Sequence, residues 1–477
     1  MQNYYRYLMP RLNGEEIGMN FGHYRSLVNK GVAGFIVFGG RLAEVRKHID
    51  LLQKEAELPL VIASDLERGL GQQIKGGTSF PPAMALAQAV RKKRALGAAY
   101  DLSPFRKACA AVAEEAAYAG INTIFAPVLD INTNPKNPII ATRAFGEDAK
   151  TVSLLGCEMV KTFQEHGIAA CGKHFPGHGD TEADSHISLP VIRRGLSELK
   201  KTELSPFREA IAAGVKMIML GHLSVPSLDP SGIPVTLSGK AVAFLRKKMG
   251  YNGIVITDAM NMGGIGKYSE EKASLMALAA GVDVILHPSD ADKVASYLRT
   301  RKARFEAARL EEFRRGLSGA PGRKRPDFRK NNVLSESLTE KALTLSGGFR
   351  PEERPCLIIL NDEDDERGAL FANRLKKGLR GLKIISVNRS SGEALPTLPE
   401  GAQIIIAIFS ETRGWKGGAG DWLYKALSRL AGQVDLYISF GSPYLLDRIE
   451  SAAKLFAYWD SAAAQEAVAV LLIRKIR

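Results

Sequence analysis

Eight short apolar runs alternate with longer amphipathic stretches over roughly the first 290 residues of the chain. The runs are short and continuously apolar or β-branched, as are parallel strands buried on both faces. They cover residues 4–9, 34–38, 59–64, 124–129, 167–171, 215–220, 253–257 and 282–286. Helical patterns lie between them, for example at 82–90, 104–119 and 151–166. The alternation predicts an α/β fold with a (β/α)8 TIM-like barrel; periodicity alone leaves a doubly wound open sheet as the alternative.

A second alternation of apolar runs and helical patterns begins near residue 355, after a helical pattern at 334–345. Its candidate strands are residues 356–360, 383–387, 403–409, 435–440 and 454–458. Five strands of this length suit a smaller α/β sandwich domain. We therefore predict a barrel catalytic domain at 1–318, a basic linker and helix at 319–352, and a C-terminal α/β domain at 353–477.

The net charge of +14 invites a nucleic-acid interpretation, but its distribution argues otherwise. Between residues 290 and 330, 13 Lys and Arg stand against 6 Asp and Glu, which accounts for half of the surplus. A basic stretch of this kind is more commonly a solvated linker than a binding surface, although contact with phosphate or an anionic membrane is the alternative. We expect no nucleic-acid partner.

The expected location is the cytoplasm. No apolar run approaches the roughly 18–20 residues of a membrane helix, so no integral membrane segment is expected. The first 14 residues lack a signal-peptide pattern, with export after removal of a signal peptide as the alternative. Four widely spaced cysteines without a Cys-x-x-Cys pair argue against a disulfide scaffold or zinc ribbon and fit a reducing compartment. The oligomeric state stays open.

Ionisable side chains recur directly after the apolar runs, where catalytic groups of a barrel project. They are Asp65, Asp130, Lys173, His174, His222, Asp258 and His287. Ionisable groups are costly beside apolar strands, so their recurrence at one end indicates a polar site.

The segment from Lys173 to His186 is the densest cluster of such residues, with three histidines and two aspartates in 14 positions. His174 and His178 would share a face only on a helix, and the Pro and Gly residues between 176 and 179 disfavour one, so we expect neither a metal site nor a cofactor. In extended backbone, residues i and i+2 point the same way, which lets Asp184 pair with His186. A carboxylate on one imidazole nitrogen leaves the other free as acid or base. The alternative is that His186 caps a turn.

Several motifs, in this order along the chain, resemble glycoside hydrolase family 3 in its β-N-acetylglucosaminidase branch. They are the segment 173–186 itself and GFIVFG (34–39), FPPAMAL (80–86), FAPVLD (125–130), NPKNPI (134–139), RAFGED (143–148) and VITDAM (255–260). The resemblance covers roughly residues 5–345, and residues 404–415 resemble the family's C-terminal domain more loosely. It implies a (β/α)8-like barrel, as the run count does.

The resemblance also implies a role for individual residues. Asp258 falls on the nucleophile, and His186 falls on the acid/base, with Asp184 as its partner. The positions expected to bind sugar hydroxyls are Asp65, Asp130, Arg143, Lys173 and His174. The chemistry of these side chains also allows structural roles: Asp258 as a helix cap, and Lys173 and Arg143 as members of ion pairs in the barrel.

The expected activity is that of a retaining, exo-acting β-N-acetylglucosaminidase that removes terminal β-linked sugar from glycans such as peptidoglycan fragments. One departure concerns substrate identity: Leu70 and Gln73 replace two arginines of the family pattern after the third strand. The alternatives are a β-glucosidase or β-xylosidase of the same family, whose members generally lack the 173–186 loop, and a catalytically inactive glycan-binding protein. The Pro and Gly residues also predict that the loop swings.

Overall fold

The structure of the protein is a computed structural model. It describes residues 3–92, 99–182, 184–185, 188–317, 324–350, 352, 355–363, 366–390, 397–411, 419–447, 449–450 and 452–476. The chain divides into two compact units. The first comprises residues 1–80, 103–134 and 144–332, and the second comprises residues 81–102, 135–143 and 333–477. The predicted three-part division at 318 and 352 stays a prediction.

The first unit contains nine parallel strand segments. They are β1 (Leu8–Met9), β2 (Arg11–Asn13), β3 (Gly34–Phe38), β4 (Val61–Ser64), β5 (Thr123–Ile124), β6 (Ala169–Phe175), β7 (Met217–Leu220), β8 (Ile254–Thr257) and β9 (Ile285–Leu286). Strands β2 to β8 form one parallel sheet in sequence order, and β9 pairs with β1. A bridge between Ile256 and Val284 connects the two sheets. The strands therefore close in the order of a (β/α)8 barrel, which confirms the predicted fold class.

The first strand differs from its predicted position at residues 4–9. A 3₁₀ turn occupies Tyr5–Tyr7, and the paired strand extends to Asn13 in two pieces separated by Pro10. Proline has no backbone N–H for the ladder, so the strand is interrupted there. The β2 segment then continues the pairing toward β3 and carries Arg11.

Helices surround this barrel. They are α1 (Phe21–Asn29), α2 (Leu42–Glu55), α4 (Leu102–Ala119), α5 (Ala149–Glu165), α6 (Leu196–Lys201), α7 (Leu204–Ala212), α8 (Gly239–Ala243), α9 (Glu270–Ala280), α10 (Ala291–Thr300) and α11 (Ala308–Gly316). The side chains that fill the barrel form one buried cluster, which includes Met9, Ile36, Ala63, Phe125, Cys171, Met219, Ile256 and Leu286. Alternate residues of each strand contribute to it, because side chains of a strand point to opposite faces in turn.

The second unit is built on a six-stranded mixed sheet. Its strands are β10 (Thr344–Ser346), β11 (Cys356–Asn361), β12 (Lys383–Val387), β13 (Ile404–Phe409), β14 (Leu436–Ser439) and β15 (Ala453–Phe456), and its helices are α3 (Ala83–Val90), α12 (Phe328–Ala342), α13 (Ala369–Gly378), α14 (Asp421–Leu430) and α15 (Ala462–Ile476). The strand order is β10-β15-β14-β13-β11-β12, with only β10 antiparallel.

The neighbouring interior strands β11 and β13 are buried along their whole length. Phe371 of α13 and Val468 of α15 pack on one face of the sheet, and Leu423 of α14 packs on the other. Helices on both faces explain why these strands read as continuous apolar runs. This layered arrangement confirms the smaller α/β sandwich domain. Among the helices of the described chain, none is long and apolar enough to cross a membrane.

Candidate active site

Three charged side chains face the axis of the barrel at the carboxyl ends of its strands, a region called the barrel mouth below. Asp65, Lys173 and Asp258 each follow a residue of the inner core by two positions, on the third, fifth and seventh strands of the barrel (β4, β6 and β8). Since side chains alternate along a strand, all three point inward from the layer above that core. The tertiary structure thus brings together predicted site residues that lie up to 193 positions apart in the chain.

Lys173 is the most buried of these charges. Its side chain is 3% exposed, and its ammonium lies 2.6 Å from a carboxylate oxygen of Asp65 and 2.7 Å from one of Glu67. Burying an ammonium is costly unless it is paired, so the two carboxylates stabilise Lys173 in its charged form. Asp65 keeps 26% of its side chain exposed, against 11% for Glu67, so solvent or a ligand can reach it.

Asp130 holds the neighbouring histidines. The carboxylate is fully buried, and its Oδ2 lies 2.7 Å from Nδ1 of His174. Its Oδ1 accepts the backbone N–H groups of His174 at 3.2 Å and His178 at 2.7 Å. Burial by itself raises the pKa of Asp130, but the charge and hydrogen bond of His174 outweigh it, and the pKa lies below its usual value. Since the carboxylate accepts, Nδ1 of His174 carries a proton, and Nε2 is the other polar atom of the ring.

His178 has a structural environment rather than a catalytic one. The ring is buried, with Nδ1 2.7 Å from the Thr181 hydroxyl and Nε2 2.9 Å from the Ser185 hydroxyl. Burial lowers the pKa of His178 to about 4, so the ring is neutral at pH 7. His178 therefore connects the start of the 173–186 loop to its later residues through two hydroxyls.

The first half of that loop is fixed by hydrogen bonds. Gly179 packs against the backbone of Ile131 so closely that a Cβ atom added at Gly179 would lie 1.7 Å from the Ile131 carbonyl oxygen. A residue with a side chain would therefore not fit there. Its own carbonyl accepts from the Asn134 backbone N–H at 3.3 Å. Gly179 thus permits a close approach between two backbones. The swing of the loop that Pro176, Gly177 and Gly179 predict stays a prediction.

Arg194 holds the same loop from the other side. Its guanidinium contacts both carboxylate oxygens of Asp180, at 2.6 and 3.1 Å, and lies 2.9 Å from a carboxylate oxygen of Glu203. The Glu203 side chain is fully buried and also bonds to the Thr202 hydroxyl. A bidentate guanidinium–carboxylate pair fixes orientation as well as distance, so Arg194 sets the position of Asp180.

The position of Asp258 is set by backbone hydrogen bonds at the carboxyl end of β8. Its backbone N–H continues the pairing to β7 by donating to the Leu220 carbonyl at 3.0 Å, and its Oδ1 accepts the Ala259 N–H at 2.8 Å. The next α-helix, α9, begins only at Glu270, so Asp258 does not cap it. The buried His222 donates from Nε2 to the Ala259 carbonyl at 3.0 Å and thereby supports the same turn.

Three further predicted site residues, Asp184, His186 and Arg143, are not among the side chains described above. Asp184 is buried, whereas His186 lies outside the described residues. Arg143 ends a 3₁₀ turn, Ala141–Arg143, that belongs to the second unit, and its guanidinium donates to the Ile139 carbonyl at 3.2 Å.

Sequence reasoning did not select Glu67 and Arg194, although both are built into the arrangement. Glu67 lies in a turn beyond the end of β4, where strand alternation does not apply, so no sequence signal pointed to its place beside Lys173. Arg194 carried no local signal, since its carboxylates come from two separate segments. Leu70, one of the two replacements for family arginines, is fully buried in the 3₁₀ turn Leu70–Gln72.

Comparison with known families places this barrel among glycosidases. Residues 17–312 match the model of the glycosyl hydrolase family 3 N terminal domain. The chain is similar to beta-hexosaminidase A of Pseudoalteromonas piscicida, with 34% identity over 280 residues, which are 54% of this chain and 46% of that protein. It is also similar to a beta-hexosaminidase of Methylobacillus flagellatus, with 32% identity over 303 residues that cover 60% of this chain and 82% of that one.

A solved structure is similar over both units. It is a glycoside hydrolase family 3 beta-N-acetylglucosaminidase from Paenibacillus sp. str. FPU-7, with a TM-score of 0.83 and 27% identity, covering 100% of this chain and 96% of that one. The chain spans about half the length of the Pseudoalteromonas relative, at 46%.

Proposed function

Because the chain belongs to glycosyl hydrolase family 3, we propose that it is a retaining, exo-acting β-N-acetylglucosaminidase. The observation that carries this proposal is the shared inward direction of Asp65, Lys173 and Asp258 at the barrel mouth. A paired cation and carboxylate suit the hydroxyls of a terminal sugar, and Asp258 offers a carboxylate to its anomeric carbon. The proposed substrates are glycans such as peptidoglycan fragments, and the proposed location is the cytoplasm.

In the proposed first step, a carboxylate oxygen of Asp258 attacks the anomeric carbon while the bond to the departing oxygen breaks. His186, supported by Asp184, donates a proton to that oxygen. The product is a glycosyl ester on Asp258 and a free alcohol. In the second step His186 takes a proton from water, the water oxygen attacks the anomeric carbon, and the Asp258 carboxylate is released. Two displacements leave the anomeric configuration unchanged.

The sugar itself is proposed to be held by Asp65, Lys173 and His174, with Asp130 acting on His174 and with Arg143 as a further contact. The Asp130 carboxylate fixes the proton on Nδ1 of His174, so Nε2 is the atom left for a sugar hydroxyl. Asp65 is exposed enough to accept a hydroxyl proton while it remains paired to Lys173.

The test is a panel of nitrophenyl β-glycosides: the N-acetylglucosaminide, the glucoside and the xyloside. The N-acetylglucosaminide is expected to have the highest kcat/KM, and proton NMR of the first product formed is expected to show the β-anomer. A glucoside or xyloside that turns over faster would favour the alternative family specificities. Absence of turnover with all three would favour a glycan-binding protein.

A further inference from the structure

An open cleft of about 580 Å³ lies beside the first and last strands of the barrel. It is lined by β2, by the residues that follow β9, and by α1 and the start of α10. Its polar side chains include Arg11, His23, His287, Asp290 and Asp292. None of them has a place in the hydrolytic steps described above, which use the third, fifth and seventh strands and the loop after the fifth.

Arg11 reaches the cleft from inside the barrel. Its backbone pairs with Ile36 of β3, a residue of the inner core, and it follows the inner residue Met9 by two positions. Strand alternation therefore directs its side chain to the barrel axis, as it does for Asp65 and Asp258. Arg11 is nevertheless exposed, and its guanidinium lies 5.0 Å from the centre of the Phe38 ring. The stem thus starts inside the barrel and the charge ends in the cleft.

The aspartates of the cleft already have partners. Both carboxylate oxygens of Asp292 lie 2.8 Å from the Lys30 ammonium, and one accepts the Tyr5 hydroxyl at 2.6 Å. Asp290 caps α10 by accepting the Lys293 backbone N–H at 3.0 Å. In contrast, the Arg11 guanidinium has no hydrogen bond and no ion pair to any residue that the structure describes.

The histidine beside Arg11, His287, does not carry a positive charge at pH 7. His287 follows the last strand and lies 6.1 Å from the Phe38 ring, centre to centre. Burial, with the charge of Arg11 next, lowers the pKa of His287 to about 4, so the ring is neutral at pH 7. Among the described residues that line the cleft, Arg11 is therefore the cation that a ligand can pair with.

We propose that the cleft is a subsite for a carboxylate on the leaving-group side of the substrate, with Arg11 as its anchor. This inference rests on the proposed function. A guanidinium stacked on an aromatic ring presents a planar pair of N–H donors, which matches a carboxylate in two hydrogen bonds. The residues proposed to hold the terminal sugar lie on the third to fifth strands, across the barrel from the first and eighth. A substrate that extends past its terminal sugar meets the cleft there.

The experiment compares two aryl β-N-acetylglucosaminides, 4-nitrophenyl and 3-carboxy-4-nitrophenyl, which differ by one carboxylate. Their dissociation constants are measured by calorimetry with Asp258→Asn and with the double variant Asp258→Asn/Arg11→Met. Methionine keeps an unbranched stem on Phe38 and removes the charge. The carboxylated compound is expected to bind about tenfold more tightly to Asp258→Asn, since charge-assisted hydrogen bonds to a guanidinium are of this order, and the preference is expected to disappear in the double variant. Arg25→Met, which removes an exposed arginine paired with Glu55, is the matched control and should keep the preference.

Three results would overturn the inference: equal binding of both compounds to Asp258→Asn, the same preference with and without Arg11, or an equal loss for both compounds in the double variant. Failure of the carboxylated compound to bind would overturn it as well. Turnover of the neutral compound by the unmodified protein tests the proposed function separately. A protein that hydrolyses it without a carboxylate preference would keep the function and lose the subsite.

Discussion

The fully buried carboxylate of Asp130 accepts the Nδ1–H of His174 at 2.7 Å, although Asp130 lies in the segment that follows β5 and His174 lies 44 positions later, on β6. The same carboxylate accepts two backbone N–H groups at the start of the 173–186 loop. One side chain therefore sets both the proton position on His174 and the direction in which the loop leaves its strand.

Asp130→Asn is expected to lower the free energy of unfolding by about 2–3 kcal/mol, because it removes charge from three hydrogen bonds in a buried place. It should also lower kcat/KM about 10²-fold by displacing His174 and the loop. The matched control is Asp283→Asn. Asp283 is similarly buried and paired with Arg246 and Arg309, but it precedes the last strand at the other end of the barrel. Chemical denaturation should show a comparable loss of unfolding free energy for Asp283→Asn, while its kcat/KM should stay unchanged. An equal loss of kcat/KM in both variants would show that Asp130 has a purely structural role.

Asp258→Ala is expected to abolish turnover, with a loss on the order of 10⁴-fold or more, because the covalent route is removed. The fold should persist, since Asp258 is at the mouth and not in the core. Initial rates and thermal unfolding by circular dichroism check the two statements. A variant that retains a tenth of the activity would place the nucleophile elsewhere.

His186→Ala is expected to separate substrates by their leaving groups. An activated phenol departs without acid help, so much of its first step should survive, whereas a departing sugar alcohol needs the proton and should react very slowly. Pre-steady-state release of nitrophenol, compared with hydrolysis of a disaccharide, measures the difference. Equal slowing of both first steps would assign His186 a binding or structural role.

Arg194 is expected to be a positioning residue for the same loop. Arg194→Met should lower kcat about 10- to 100-fold for unactivated substrates while KM changes little, because the loop is misplaced but the sugar contacts on the strands remain. Arg194→Lys should recover part of the loss by keeping one ion pair. Arg208→Met removes an exposed arginine of the neighbouring helix and serves as the control. A uniform loss for activated and unactivated substrates would show a general effect on folding.

The buried His178 is expected to make stability depend on pH. Its pKa of about 4 in the folded protein lies below the usual value near 6.5, so between these values the unfolded chain takes up a proton that the folded one does not. Stability from this group is complete above pH 6.5 and is lost as the pH falls toward 4. Burial raises the pKa values of Glu115 and Glu203, which act in the opposite direction, so the comparison with a variant isolates His178.

In His178→Gln, the pH dependence of the unfolding free energy between pH 6.5 and 4 should be smaller by close to one proton, about 1.4 kcal/mol per pH unit. Urea denaturation at a series of pH values measures it. Identical slopes in the two proteins would mean that His178 takes up its proton in the folded state.

The sequence by itself indicated most of the strands and the chemistry of their ends, whereas periodicity left both a barrel and a doubly wound sheet open as strand orders. Parallel strands buried on both faces must be apolar throughout, so eight such runs were visible without a structure, and Asp65, Lys173 and Asp258 follow them directly. The first strand was misplaced because Pro10 divides it and the second piece carries the polar residues Arg11 and Asn13.

The tertiary structure decided which side chains meet. The pairing of Lys173 with Asp65 and Glu67, the clamp of Arg194 on Asp180 and Glu203, and the exposed guanidinium of Arg11 all depend on barrel closure. Local sequence periodicity reports which way a side chain points along its own strand, whereas the energy of a buried charge depends on the partners that distant segments bring to it. For that reason the sequence indicated where polar groups gather, and only the folded barrel showed which of the described charges are paired with each other and that the Arg11 guanidinium stays available to a ligand.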